Sequence, residues 1–175
     1  MRALFVAMAG LMAVAASAQY TPIPRPWEIT VGATFPTGDL DDPFEMDTGM
    51  LLGVDFYWNQ FAPNTQGFFG FRGHWADSDA GNLQHMGIHY GAKFNFSQGG
   101  SSGNFYGKAA VGYFSSSIDA GSVWVSDFDF GGWLALGFDF MSGGSSWSLE
   151  LGFMFMPEVV GFDQQFYYAG ASFRL

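Results

Sequence analysis

Apolar side chains alternate with small or polar ones through most of the chain. In residues 27–35, the odd-numbered positions are Trp, Ile, Val, Ala and Phe, whereas the even-numbered positions are Glu, Thr, Gly and Thr. Successive side chains of a β-strand point to opposite faces, so this strict alternation predicts a strand with one apolar face.

The same alternation recurs along the rest of the chain. The predicted strands cover residues 27–35, 49–58, 66–76, 84–96, 105–115, 128–140, 147–156 and 165–175. Each has about ten residues, the length that crosses a bilayer when a strand is tilted by roughly 45°. The sequence therefore predicts an all-β fold, an eight-stranded antiparallel up-and-down transmembrane β-barrel.

The first residues follow a different pattern. Arg2 is followed by an apolar run that extends from Ala3 to Ala16, and the run ends in the triplet Ala16-Ser17-Ala18. A positive charge, a short apolar core and a small-x-small end are typical of a cleavable secretory signal peptide. We expect a signal peptide at 1–18, a periplasmic lead at 19–26 and the outer-membrane barrel at 27–175.

The predicted connections fall into two alternating classes. The stretches 59–65, 97–104 and 142–146 are uncharged and rich in Gly, Ser and Asn, whereas 37–47, 77–83, 116–127 and 157–164 contain acidic residues. Outer-membrane barrels have short periplasmic turns and longer extracellular loops. We therefore expect the acidic class on the outside.

The composition favours a membrane barrel over a soluble domain. Charged residues make up 13% of the chain and aromatic residues 19%, whereas soluble domains have about 25% charged residues. No stretch after Gly49 is apolar for long enough to form a spanning helix, and a closed barrel is the other structure that pairs every backbone group in lipid. The chain has no Cys, which excludes disulfides and cysteine chemistry.

The charged residues in the predicted strands all occupy inward positions. A buried charge without a partner costs about 3–5 kcal/mol, so we expect them to form ion pairs. Strand order favours Arg174 between Glu28 and Glu150, and Lys108 beside Asp139. The predicted lumen salt-bridge network comprises Glu28, Asp55, Arg72, Lys93, Lys108, Asp139, Glu150 and Arg174. Because eight strands leave an interior that side chains can fill, this network is expected to close the lumen.

Outward aromatic residues gather near both ends of the predicted strands. Amphipathic rings favour the headgroup level of a membrane, so two aromatic girdles are expected. Their Trp and Tyr members are Trp27, Trp58, Trp75, Tyr113, Trp147 and Tyr167.

The C-terminal segment carries the most specific resemblance to a known family. Its alternate positions hold Tyr167, Ala169, Ala171, Phe173 and Leu175. Together with the strand pattern, it resembles the small eight-stranded outer-membrane β-barrels of the OmpA transmembrane-domain and opacity-protein type. The segment is similar to the signal that the barrel-assembly machinery reads, although family members commonly end in Phe. The resemblance implies location in the bacterial outer membrane, contact with lipid and lipopolysaccharide, and recognition by that machinery.

The sequence thus predicts a non-enzymatic, monomeric barrel without cofactors, which serves membrane integrity or surface interaction. One alternative is a lipid-modifying barrel enzyme, an acyl hydrolase or transferase, that would use His74 and His85 with serines 115–117 and Asp129. The two histidines could instead hold a metal ion at the rim. Further alternatives are a small-solute conduit and a secreted lipocalin-like barrel with its apolar face inward.

The loop 37–47 is strongly acidic and suggests a weak site for a divalent cation. Hard cations prefer clusters of carboxylate oxygens. The candidate ligands are Asp39, Asp41, Asp42, Glu45 and Asp47. A simple solvated loop explains the same residues, and the lack of basic patches argues against nucleic-acid binding.

Overall fold

The computed structural model describes residues 23–37, 47–78, 81–96, 103–119, 124–142, 145–159 and 162–175. Its strands are β1 (Trp27–Thr37), β2 (Gly49–Ala62), β3 (Thr65–Ser78), β4 (Gly81–Asn95), β5 (Asn104–Asp119), β6 (Trp124–Ser142), β7 (Ser145–Val159) and β8 (Phe162–Arg174). Each strand pairs antiparallel with the next, and β8 pairs with β1 to close the barrel. The predicted eight-stranded antiparallel barrel is confirmed. The expected signal peptide lies outside the described residues, and the described part contains no helix long and apolar enough to cross a membrane.

The two ends of the barrel differ in their connections. We call the end where β1 begins and β8 finishes the near end, and the opposite one the far end. At the near end β2 and β3 are joined through residues 63–64 alone, because β2 continues to Ala62 beyond its predicted limit. Two β-bulges in β2, at 57–59 and 60–62, accompany this extension.

At the far end the strands are longer than the sequence predicted. The stretches 77–83, 116–127 and 157–164 were expected to be loops, but β3 runs to Ser78, β5 to Asp119 and β7 to Val159. The outward positions become polar there, for example Ser115 and Ser117, while the backbone pairing continues between β5 and β6. The loss of the apolar pattern therefore marked the end of the apolar band and not the end of the strands.

This extension also corrects the expected distribution of charge. Asp77 and Asp119 lie at exposed, outward strand positions, where no charge was predicted. They follow Trp75 on β3 and Tyr113 on β5, so both carboxylates lie beyond the aromatic residues of their own strands. The expectation that outward positions carry no charge therefore applies to the described part of each strand between its aromatic ends.

Side chains on the two faces of the barrel wall differ in burial as the alternation requires. Outward residues such as Ile88 and Leu151 are each 69% exposed, whereas inward ones such as Leu51 and Trp133 are fully buried. The outside of the barrel is therefore apolar, and the lumen is filled by side chains.

Inward glycines make room for the large aromatic side chains. Tyr106 lies opposite Gly137 in the register between β5 and β6, and Tyr168 lies opposite Gly152 between β8 and β7. A Cβ added at either glycine would collide with the tyrosine ring across from it. Each glycine thus allows the ring to lie flat against the neighbouring strand, which keeps the phenol inside a narrow barrel.

Candidate functional site

The near half of the lumen is organised around Lys108. Its ammonium contacts Glu28 Oε1 and lies 3.1 Å from Glu150 Oε2. Because β1 and β5 are four strands apart in a ring of eight, Lys108 reaches across the lumen to contact Glu28. All three side chains are at most 1% exposed, so their charges are compensated by one another and not by solvent.

A second ion pair joins Lys93 to Asp139. The Lys93 ammonium lies 2.7 Å from Asp139 Oδ2, and Ser148 Oγ donates to Asp139 Oδ1 at 2.6 Å. Lys93 is directly opposite Lys108 in the register of β4 and β5. The two ammonium groups tolerate this proximity because each is paired with different carboxylates.

Arg174 adds a further ion pair to the network at the near end of the lumen. Its Nε lies 3.5 Å from Glu28 Oε2, and its two terminal nitrogens donate to Gln66 Oε1 at 3.2 and 3.3 Å. The guanidinium also lies 3.9 Å from the centre of the Tyr57 ring. Arg174 therefore pairs with Glu28, but Lys108 and not Arg174 lies between Glu28 and Glu150. The predicted Lys108–Asp139 neighbourhood is likewise replaced by Lys93–Asp139, because the stagger of the strands sets which long side chains meet.

Arg72 lies deeper in the lumen than the lysines. Its guanidinium carbon is 3.7 Å from the centre of the Trp133 ring, and Nη2 is 3.7 Å from Glu150 Oε1. Such a stacked position favours Arg over Lys, since the planar guanidinium matches an aromatic face. Glu150 is thus shared between Arg72 and Lys108.

Asp55 has a partner that the sequence interpretation missed. His89 Nε2 lies 2.7 Å from Asp55 Oδ1, and both side chains are fully buried. The ring of His89 packs edge-on against Phe68 and Trp133. The alternation predicts both side chains inward, but only the register shows that Gly70 of β3 lies opposite both residues, so that Asp55 and His89 meet across that one strand.

Three buried phenols complete the network and were assigned no such role from the sequence. Tyr57 donates to Glu28 Oε1 at 3.3 Å, while Tyr106 and Tyr168 donate to the two oxygens of Glu150 at 3.1 and 3.2 Å. Their inward positions were the only available signal. They supply the hydrogen bonds that a buried carboxylate needs in addition to its counter-charge.

The far half of the lumen contains the two histidines of the enzyme alternative. His74 and His85 face each other across β3 and β4, with ring planes within 10° and centroids 5.3 Å apart. His85 Nδ1 lies 2.6 Å from Ser116 Oγ, and Phe166 packs against both rings. All these side chains are at most 1% exposed.

The acid expected to complete a catalytic triad lies elsewhere. Asp129 is exposed at the far end, where its Oδ1 accepts a hydrogen bond from Phe130 N at 2.7 Å. Among the described residues no three His, Cys, Asp or Glu side chains are grouped to hold a metal ion. Asp47 of the acidic loop is exposed, and the other four candidate ligands lie outside the described residues, so that cation site stays a prediction.

The girdle residues lie outward near the two ends of the barrel. Trp27, Tyr113, Trp147 and Tyr167 are between 43% and 59% exposed, whereas Trp58 and Trp75 are half-buried. Trp58 is partly covered because its ring packs edge-on against Phe61 and near Tyr90.

Solved structures with the same fold are small outer-membrane barrels. Neisserial surface protein A superposes with a TM-score of 0.61 at 10% identity, covering 86% of this chain and 97% of that one. The N-terminal β-barrel domain of Pseudomonas aeruginosa OprF gives 0.54 at 9% identity, with 85% and 96% covered. The attachment invasion locus protein Ail of Yersinia pestis gives 0.50 at 12% identity, with 85% and 97% covered. No protein-family model matches the sequence, and no curated protein is detectably similar to it; the likeness at these identities concerns the fold.

Proposed function

We propose that this chain is an integral protein of the bacterial outer membrane that acts without catalysis. In this proposal ion pairs close its lumen, and its far end serves surface interaction or membrane integrity. The observation that carries the proposal is the separation of charge: the strand charges between the aromatic ends are paired inside, and the outside is apolar. In water such a surface would be poorly soluble, whereas in lipid it is the expected one.

The height of the apolar band supports insertion into a membrane. On β5 it extends from Phe105 to Tyr113, both outward and exposed. At about 3.3 Å per residue and a tilt near 40°, this stretch spans roughly 20 Å, close to the apolar band of about 25 Å in outer-membrane barrels. An inside-out lipocalin-like barrel would leave these rings in water.

The contents of the lumen support a barrier and not a conduit. Lys108 crosses the near half, and Arg72 and Trp133 stack in the middle with almost no exposure. An ion that crossed would have to break buried pairs, and the partner left behind would lose its compensation. The small-solute conduit is therefore the weaker alternative.

The geometry of His85 and Ser116 gives little support to the enzyme alternative. Their hydrogen bond is of the kind that activates a nucleophile, but both side chains are buried and the expected acid is at the rim. A lipid substrate would need access to Ser116 from a lumen that Phe166 and Leu83 fill.

The expected partners follow from the surface. Lipid and lipopolysaccharide would cover the apolar outside, and the assembly machinery would read β8, whose Tyr167 and Leu175 are exposed. A monomer is proposed because closure of the sheet through β1 and β8 leaves the barrel wall without an open edge between its aromatic ends.

The decisive experiment combines localisation with function. The chain, produced in a Gram-negative host, is expected in the outer-membrane fraction and should show shifted mobility on an unboiled gel. In planar bilayers it should give no steady conductance, and it should not deacylate or palmitoylate lipid A. Recovery in the soluble fraction would contradict the membrane assignment. Stable openings would contradict closure, and lipid A modification that is lost in H85A would favour the enzyme.

A further inference from the structure

The outer part of β6 forms an unusual edge at the far end of the barrel. Pairing between β6 and β5 continues to Trp124, whereas pairing between β6 and β7 stops at Gly132 and Phe155. Within the described ranges, residues 124–129 therefore have only β5 as a neighbouring strand. We call residues 124–129 the β6 arm.

Pro157 explains why the pairing stops. Continuing the register past Gly132 and Phe155 would bring Pro157 of β7 into the ladder, and proline has no amide N–H to donate. Beyond that point the pairing described for β7 is with β8, with a register shift between Met156 and Val159. The separation is thus encoded in β7 and leaves the β6 arm projecting with β5.

The hydrogen bonds of the β6 arm show which way its backbone points. Phe128 N donates to Asp127 Oδ1, and Phe130 N donates to Asp129 Oδ1, both at 2.7 Å. Alternate residues of a strand direct their N–H groups to the same side, so these groups point away from β5. Ser126 lies two residues before Phe128, so its N–H group also points away from β5. Asp127 therefore covers the N–H group of Phe128, which a neighbouring strand would otherwise bind.

The two faces of the β6 arm differ in chemistry. Asp127 and Asp129 are exposed on the lumen side, while Phe128 is 57% and Phe130 45% exposed on the outer side. Tyr113 of β5 stacks against Phe128 at 6.2 Å and supports the outer face. An exposed strand edge is a template for another strand, and this one carries negative charge on one side and aromatic rings on the other.

We propose that the β6 arm binds an extended basic peptide segment of another protein by strand addition. Cationic side chains at alternate positions would pair with Asp127 and Asp129, and aromatic or apolar ones would pack on Phe128. As the Asp127 carboxylate turns to such a cation, it releases the N–H group of Phe128 to a carbonyl of the added strand. A second copy of this chain fits poorly, because it would bring the same acidic edge from a chain with net charge −10.

This inference deepens the surface-interaction role of the proposed function and rests on it. The test uses the full barrel in nanodiscs of zwitterionic lipid, with a capped, labelled hexapeptide that alternates lysine and tyrosine. We expect saturable binding by fluorescence anisotropy, and amide exchange at Ser126 and Phe128 slowed about tenfold or more at saturation. The same peptide with alternate amides methylated cannot pair as a strand and is expected to bind at least about tenfold more weakly.

Two variants separate strand addition from simple charge attraction. S126P removes an N–H group that points away from β5 and leaves the β5 pairing intact. In this variant the peptide should therefore no longer slow amide exchange at Phe128. D127N/D129N should weaken binding about tenfold and reduce its salt dependence. The matched control D47N/D77N removes two exposed acids elsewhere at the far end and should change affinity less than about threefold.

The outcomes that would overturn the inference are distinct. The inference would be wrong if the peptide showed no saturable binding at millimolar concentration, if the methylated peptide bound with equal affinity, or if S126P bound the peptide as well as the unaltered chain does. A dimer of the barrel that S126P dissociates would assign the edge to a second copy. If nanodiscs that contain lipopolysaccharide slow amide exchange in the β6 arm without any peptide, the β6 arm would instead contact the membrane surface. None of these results would affect localisation or conductance, so failure here is distinguishable from failure of the proposed function.

Discussion

The two halves of the lumen are stabilised in different ways. In the near half, Lys108 and Lys93 pair with carboxylates on other strands, and phenols supply the remaining hydrogen bonds. In the far half, Phe166 packs on the paired rings of His74 and His85 beside aliphatic side chains. The near half therefore depends on charge compensation over long sequence separations, and the far half depends on packing. The two halves should therefore respond differently to substitution.

The largest effect is expected from removing the central cation. K108M leaves Glu28 and Glu150 buried without their shared counter-charge, which should lower the free energy of unfolding by about 3–5 kcal/mol. Urea unfolding in lipid vesicles measures this change. The control E28Q/K108M also neutralises Glu28, whereas Glu150 keeps Arg72 as its partner, so this double variant should recover part of the loss. If it is as unstable as K108M, shape and not charge governs the near half.

A truncation in the far half should give a loss without electrostatic character. F166A removes a fully buried ring that packs against both histidines, and we expect about 3 kcal/mol of destabilisation. The loss should be the same in the E28Q background, whereas the loss from K108M should be smaller there because Glu28 no longer needs a counter-charge. An equal effect of E28Q on both losses would show that the halves are not distinct.

The sequence predicted the faces of the strands but not the partners across the lumen. Alternation placed Lys108, Glu28 and Asp139 inward, since a period of two needs only local geometry. Which of them meet depends on strand tilt and stagger, which a single sequence does not specify; Lys93 rather than Lys108 therefore binds Asp139. His89 was missed as the partner of Asp55 for the same reason.

The far ends of β5 and β6 show a different limit of sequence interpretation. The apolar pattern ended near Ser115 on β5, and the remainder was predicted to be loop. Backbone pairing continues to Asp119, because ladder hydrogen bonds do not require apolar side chains. Pro157 was the visible signal that the pairing between β6 and β7 is interrupted, but the resulting edge on β6 follows only from the register.

A smaller effect tests how glycine positions the phenols of the near half. G152A places a methyl group against the ring of Tyr168, which bonds Glu150, and should cost about 1–3 kcal/mol through overpacking. Gly53 is the matched control, because the nearest atoms to its added Cβ lie at 3.5 Å, an ordinary contact. G53A should therefore be close to neutral in the same unfolding experiment. Equal losses would mean that glycine flexibility, and not space for the ring, matters at these positions.

The smallest effect is expected at the polar pair of the far half. S116A removes the hydroxyl that lies 2.6 Å from His85 Nδ1 and should lower the free energy of unfolding by about 1 kcal/mol. The neighbouring S115A changes an outward, partly exposed hydroxyl and should stay within about 0.5 kcal/mol of the unaltered chain. If packing dominates this half, S116A should cost much less than F166A. A loss from S116A as large as that from F166A would show that the far half, too, depends on its polar contacts.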